Sequence, residues 1–162
     1  MKTDTLFSSC KEDWGTPQWL FDKINDVFHF HLDVCASPDN AKCKRFYTKK
    51  DNGLLMPWAE TNWMNPPYGR RVSKWLEKAV NESRRGKVTV CLLPVRTDTA
   101  WWHDYIENNA NATVLFIRGR LKFEGAEDNA PFPSAIVFFW GNYSLEEIHN
   151  AHTAVRKKVN FS

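Results

Sequence analysis

Long apolar runs are missing from this chain. The longest, Ala135 to Trp140, falls far short of the roughly 20 residues a membrane helix needs. The opening Met1-Lys2-Thr3-Asp4 has none of the apolar character of a signal peptide. A soluble cytoplasmic protein with no membrane partner is expected. Cysteine is scarce: Cys10, Cys35, Cys43 and Cys91 are the whole set, and no two form a Cys-x-x-Cys pair. Joining Cys35 and Cys43 to His29 and His31 gives no common zinc spacing, so no metal is expected. Free, partly buried thiols in a reducing compartment are the better reading. Internal repeats and low-complexity segments are absent as well.

Net charge is small, at +3, because 22 basic side chains nearly balance 19 acidic ones, but the charge is unevenly placed. Residues 65–122 carry 11 basic and 5 acidic side chains. This middle third is a candidate surface for a polyanion. The competing reading is a solvated helix end, because Arg84, Arg85 and Lys87 sit where a helix C-terminus favours cations. The 162 residues suffice for one domain with a real core, and 43% of them are hydrophobic. The chain has eight tryptophans, several beside polar punctuation. Such an excess next to a basic stretch also suits a base-stacking protein.

Hydrophobic spacing gives a coarse map. Thr16 as N-cap and Pro17 at the first helical position open a helix carrying Leu20, Ile24 and Val27/Phe28. Residues 29–36 alternate like a strand, which Ser37-Pro38-Asp39-Asn40 breaks. Asp51-Asn52-Gly53 reads as a turn. Residues 62–64 form a short strand, and 72–85 a helix closed by Gly86. Val88 to Leu93 is apolar enough for a strand buried on both faces. A helix from Thr99 to about Asn108 precedes strands at 112–117 and 134–140. A last helix spans Leu145 to about Val155. Alternating strands and helices imply an α/β layer structure with a mostly parallel sheet. Ligands of such sheets sit at the carboxyl ends of the strands. Two polar clusters fall there, Asp33 to Asn40 and Asn65 to Tyr68.

Asn65-Pro66-Pro67-Tyr68 carries the strongest chemical signal. A given tetrapeptide arises by chance in such a chain on the order of once in a thousand. Consecutive prolines stiffen the backbone after a buried strand and hold Asn65 extended. That makes a platform presenting one amide side chain and one carbonyl. An aromatic exocyclic amine is a poor nucleophile, because its lone pair is delocalised into the ring. The Asn65 oxygen and the Pro66 carbonyl can each accept one N–H, drawing the nitrogen toward tetrahedral geometry. Asparagine is a poor base, so its effect is positioning and electrostatics. Tyr68 is expected to stack on an extruded base. A proline-stiffened loop with a buried tyrosine is the bland alternative.

With these residues in view, the chain resembles the small phage and prophage DNA N6-adenine methyltransferases, within the Rossmann-like S-adenosylmethionine-dependent methyltransferases. The resemblance runs from about Asp13 to Gly141. It rests on an ordered set: Asp13-Trp14-Gly15-Thr16-Pro17, Leu32-Asp33-Val34-Cys35-Ala36, Asp51-Asn52-Gly53-Leu54 and Asn65-Pro66-Pro67-Tyr68-Gly69. Leu92-Leu93-Pro94-Val95-Arg96-Thr97-Asp98-Thr99 and Gly119-Arg120-Leu121-Lys122-Phe123 complete it. The resemblance implies a minimal methyltransferase sheet with an antiparallel C-terminal strand, in a single domain over 1–162. It implies that Trp14, Thr16 and Pro17 line the methionine end of S-adenosylmethionine. Asp33 would stand beside the cofactor and Asp51 would meet its adenine amino group. Asn65, Pro66, Pro67 and Tyr68 would form the amino-methylation motif.

Two departures from the family pattern stand out. The glycine-rich turn of larger methyltransferases is absent after Asp33, where Cys35-Ala36-Ser37-Pro38 stands instead. Ala36 and Asn40 are the candidates for contacts in its place. Asp33 and Asp51 are also only 18 positions apart. One βαβ unit takes about 30 residues, so the usual unit bearing a ribose-binding acid is shortened or missing. Asp39 is the nearest candidate for that acid. The chain has no room for a separate target-recognition domain, so double-stranded DNA must be read by loops. Arg70, Arg71, Arg96, Arg118, Arg120 and Lys122 are the candidate DNA-binding residues, holding phosphates or reading guanine edges. The expected reaction is methyl transfer to adenine N6, in the cytoplasm of a bacterial host as a phage or prophage product. The alternatives are cytosine-N4, RNA or protein-amide methylation, or an inactive nucleic-acid-binding module of the same fold.

Overall fold

The computed structural model describes residues 13–161. Helices flank one sheet, beginning with helix α1 (Gln18–Phe28) and the two-residue strand β1 (Leu32–Asp33). A single 3-10 turn (Gly53–Leu55) precedes strand β2 (Thr61–Met64) and helix α2 (Val72–Arg84). Strand β3 (Val88–Pro94) leads to the short helix α3 (Ala100–Trp102), whose winding continues as a π-helix over His103–Glu107. Strands β4 (Ala112–Phe116) and β5 (Ser134–Phe139) and helix α4 (Leu145–Asn160) complete the chain.

The sheet order is β1-β2-β3-β5-β4. β1, β2 and β3 are mutually parallel, and β5 is antiparallel to both β3 and β4. The carboxyl ends of β1 to β4 therefore share one edge, where β5 begins. All residues of β3 and β5 are buried, as expected of strands covered on both faces. Their alternation divides the core. Val90, Leu92, Phe138 and Trp140 face the side of α1, with Leu20, Ile24 and Phe28. Cys91, Leu93, Val137 and Phe139 face the side of α2, with Leu76 and Ala79. No helix among the described residues is long and apolar enough to cross a membrane.

Several boundaries differ from those the sequence suggests. Thr16 is not a helix cap: Pro17 occupies the cap position with φ −59° and ψ 131°, and no side chain caps the helix. The expected strand over 29–36 shrinks to two residues. His29 instead ends α1 in a left-handed conformation, φ 53°, with its N–H on the Asn25 carbonyl. After Asp33 the chain turns, because the Asp33 carboxylate collects the N–H groups of Cys35 and Lys42. The last helix runs past Val155 to Asn160. A capping box of Ser144 and Glu147 starts it, and Lys157 and Lys158 suit its C-terminal dipole.

The connection from β1 to β2 holds no long helix. Arg45 to Tyr47 returns beside β1 as a single parallel bridge: the Asp33 N–H bonds the Arg45 carbonyl and the Tyr47 N–H bonds the Asp33 carbonyl. A single bridge thus occupies the place where a full crossover unit would add another strand. Part of the basic middle third faces away from this region. At the C-terminal end of α2, Arg85 and Lys87 lie 3.7 Å and 3.4 Å from the buried Glu82 carboxylate.

Candidate active site

A cavity of about 770 Å³ opens at the carboxyl ends of β1 and β2, within the size range of small-molecule sites. Its floor comes from β1 and the loop after it. Asp33 is 3% exposed. Its two oxygens accept the Cys35 N–H at 3.3 Å and the Lys42 N–H at 3.1 Å. Burial pushes the carboxyl up to about 6, while those N–H groups and the Lys42 charge pull it partway back. A ligand bringing amino or hydroxyl donors would find an underserved carboxylate there.

Lys42, also in the cavity wall, has a buried side chain that sequence reading passed over. Its Nζ donates to Glu124 Oε2 at 2.7 Å and to Gln18 Oε1 at 2.8 Å. Glu124 in turn sends its backbone N–H to the Gly15 carbonyl at 2.8 Å. Three distant segments, the entry to α1, the loop after β1 and the loop before β5, are thereby fastened together. A lysine between Ala41 and Cys43 carries no sequence signal for this role.

The loop after β2 supplies the opposite wall. Asn65, Pro66 and Pro67 line the cavity, as do Trp14 and Thr16 beside Asn65. The Asn65 amide nitrogen donates to the Trp14 carbonyl and, at 2.9 Å, to Thr16 Oγ1. Asn65 Oδ1 is buried with no hydrogen-bond partner among the described residues. An orphan acceptor on a residue of the cavity wall is uncommon, because buried polar atoms are nearly always paired. Trp63 and Trp75 add apolar walls.

Other expected site residues are placed differently. Ala36 and Asn40 line the cavity, but Asn40 Oδ1 already accepts the Ser37 N–H at 2.8 Å. Pro17 is buried outside the lining, and Asp39 is exposed outside it. Asp51 is not part of the lining either: its Oδ2 accepts the Thr48 N–H at 2.8 Å and the Thr48 hydroxyl at 3.1 Å. Its neighbours Lys50, Asn52 and Gly53 line the cavity instead. Gly53 has no alternative, since a Cβ there would lie 2.2 Å from the Val34 carbonyl oxygen. Tyr68 lies behind the cavity wall. Its ring is 7% exposed, with Phe123 and Phe132 set edge-on against it at 6.3 Å and 5.9 Å.

Arg70, Arg71, Arg96, Arg118, Arg120 and Lys122 are all exposed. None forms an ion pair with another described residue. Arg70 and Arg71 follow β2, Arg96 follows β3, and the other three follow β4, so all emerge from the edge that holds the cavity. Arg71 reaches the cavity lining itself. Cys35 and Cys43 are free thiols pushed up to about 12 by burial, and Cys91 is also raised by burial. They are therefore poor nucleophiles at neutral pH. Cys10 lies outside the described residues. Among the described residues no three His, Cys, Asp or Glu side chains gather as a metal ion would need.

Comparison with known proteins finds phage relatives and a matching family. A phage protein from Haemophilus phage HP1, a DNA N-6-adenine-methyltransferase, is 33% identical over 139 residues, covering 81% of this chain and 80% of the relative. A second, from Escherichia phage T1 and of the same name, is 30% identical over 111 residues, covering 67% of this chain and 45% of the relative. The family described as DNA N-6-adenine-methyltransferase (Dam) matches residues 3–159, a stretch that takes in both cavity walls and every exposed basic loop at its rim. The chain belongs to that family.

Proposed function

We propose that this chain transfers a methyl group from S-adenosylmethionine to the exocyclic N6 of adenine in double-stranded DNA. The observation that carries this reading is the buried, unpartnered Asn65 Oδ1 at the wall of the cavity. When bound, S-adenosylmethionine supplies an activated methyl group on a sulfonium centre. The cavity suits it: Asp33 would take amino or hydroxyl donors, and Trp63 and Trp75 offer apolar surface. Trp14, Thr16, Ala36 and Asn40 would complete its walls. The finer fold reading is a Rossmann-like methyltransferase sheet reduced between β1 and β2.

The acceptor chemistry follows from the platform. An adenine amine presented at Asn65 gives one N–H to Oδ1 and one to the Pro66 carbonyl. Two such bonds favour the pyramidal nitrogen, localise its lone pair and stabilise the positive charge that grows as the new N–C bond forms. The nitrogen then sheds its extra proton to solvent. Asn65 remains neutral throughout. Pro67 keeps the loop stiff, so the acceptors need no reorganisation during reaction. A base reaching this place has left its helix, and Tyr68 would stack on it once Phe132, which is only half-buried, moves aside.

The six exposed basic residues at the rim would hold the DNA backbone and read base edges. The family and both phage relatives favour adenine over cytosine-N4, RNA or a protein amide, and favour an enzyme over a binding module. They also suit an enzyme working in the cytoplasm of a bacterial host. The test is single-turnover methylation at saturating DNA and S-adenosylmethionine, with nucleoside analysis of the product. The parent should yield N6-methyladenine. Folded Asn65→Ala should be slower by on the order of a hundredfold, with unchanged cofactor binding. A near-parental rate for that variant would sink the mechanism, and N4-methylcytosine as product would move it to the alternative amine.

A further inference from the structure

An asparagine amide has two ends of nearly equal size, and a half-turn about its last bond exchanges an acceptor for a donor. Only one orientation at position 65 can accept an N–H from a substrate amine. Solvent does not make that choice here. The Asn65 amide nitrogen is held between the Trp14 carbonyl and Thr16 Oγ1. A carbonyl can only accept. The reversed amide would therefore set two acceptors against each other at the Trp14 carbonyl, and would point N–H groups at the incoming amine. Thr16 is 4% exposed, so its hydroxyl is held within the wall and not in open solvent.

We propose that Thr16 and the Trp14 carbonyl form an orientation lock on Asn65, and that Thr16 is a positioning residue for methyl transfer. This rests on the reading of Asn65 as the amine acceptor and adds a function for Thr16 beyond lining the cavity. The lock also selects asparagine over aspartate. An ionised carboxylate at position 65 would press an oxygen against the Trp14 carbonyl oxygen. A protonated carboxyl would satisfy it, donating its O–H to that carbonyl while the other oxygen faces the cavity.

The experiment measures single-turnover methylation at saturating DNA and S-adenosylmethionine, with cofactor affinity determined separately by calorimetry. Thr16→Val keeps the shape but removes the oxygen acceptor. It should slow transfer at saturating S-adenosylmethionine by on the order of tenfold, so that the loss lies in the transfer step whatever the change in cofactor affinity, and Thr16→Ser should recover most of the rate. Asn65→Asp is followed against pH, each rate divided by the parental rate at that pH. The ratio removes whatever the charged and ionisable groups around the cavity, namely Asp13, Asp33, Cys35, Lys42, Lys49, Lys50 and Arg71, do to both enzymes alike. It should be highest in acid and fall up to tenfold per pH unit as the new carboxyl ionises. A flat or rising ratio means that a carboxylate is tolerated there, which overturns the lock. So does a Thr16→Val variant that transfers at the parental rate, or loses only cofactor affinity, while Asn65→Ala remains slow. If Asn65→Ala is itself as fast as the parent, the acceptor reading has failed rather than the lock alone.

Discussion

The Tyr68 hydroxyl donates to the Leu92 backbone carbonyl at 2.9 Å, bridging the loop after β2 to the neighbouring strand β3. The sheet explains why a side chain is needed there. The parallel register pairs Trp63 with Val90 and Met64 with Cys91. Continued one step, it would bring the nitrogen of residue 66 to the Leu92 carbonyl. Residue 66 is proline and has no N–H to give. Tyr68 supplies the missing donor from two positions further along. The segment thus contains both the backbone interruption that makes the platform stiff and the group that repairs the ladder.

Tyr68→Phe separates these functions. It keeps the ring face but leaves the Leu92 carbonyl buried without its donor, a loss of about 1–3 kcal/mol. For a chain of this size that corresponds to a fall in Tm of roughly 3–10 °C. Single-turnover methylation at low temperature should stay near the parental rate, since stacking needs only the ring. Thermal unfolding checks the first statement and product formation the second. Unchanged Tm would mean the carbonyl finds another donor.

Asp33 gives a pH dependence with a defined sign. Its folded-state carboxyl is raised to about 6 by burial. Protonation there favours the unliganded fold, fully below about pH 4, and the benefit is lost as pH rises through 6. Donors from bound S-adenosylmethionine favour the ionised form instead. Binding at pH 5.5 should therefore release a proton, roughly three-quarters of one per site, and binding at pH 8 should release almost none. Calorimetric titration in two buffers of different ionisation enthalpy measures this. Asp33→Ala should abolish the release and weaken binding; equal heats in the two buffers for the parent would place Asp33 outside the cofactor's reach.

The basic rim gives a salt dependence. Replacing Arg118, Arg120 or Lys122 by Ala should weaken binding to every duplex and lower the log–log salt slope by about one unit per phosphate contact removed. A residue that reads a base would change the preference among duplexes and leave the slope nearly intact. Binding isotherms at several salt concentrations on two unrelated duplexes separate the two patterns. Parental values on both counts would make that loop a solvated surface.

The sequence displays the acceptor platform because its chemistry is local: four adjacent residues define it. The alternation of strands and helices is legible for the same reason, as hydrophobic spacing within each element reports its burial. The contacts that aim the platform are not local. Thr16 before Pro17 has the look of a helix cap, and its actual partner, Asn65, stands 49 positions later. Lys42 is similarly opaque, because burial of a lysine depends on Glu124 and Gln18 arriving from elsewhere. Asp51 stands beside a turn, and its carboxylate bonds Thr48 in that turn and not the cavity. The brevity of β1 follows from an aspartate side chain outcompeting a strand for nearby N–H groups, a contest that alternation alone does not reveal.

The loop between β4 and β5 leaves and re-enters the sheet on neighbouring antiparallel strands, and the Ile117 N–H bonds the Ser134 carbonyl at 3.0 Å where its two ends meet. Inside it, the Ala130 N–H bonds the Leu121 carbonyl at 2.7 Å. Such a segment is a cassette: its stem is closed by the sheet whatever the tip contains. Across phage lineages, recombination or drift could remodel residues 118–129 to meet a new DNA site while the methylating platform, built from other segments, stays as it is. The points of attachment that have to survive any such exchange are Glu124, where the cassette grips Lys42 and Gly15, and Phe123, buried against Trp14 and Tyr68.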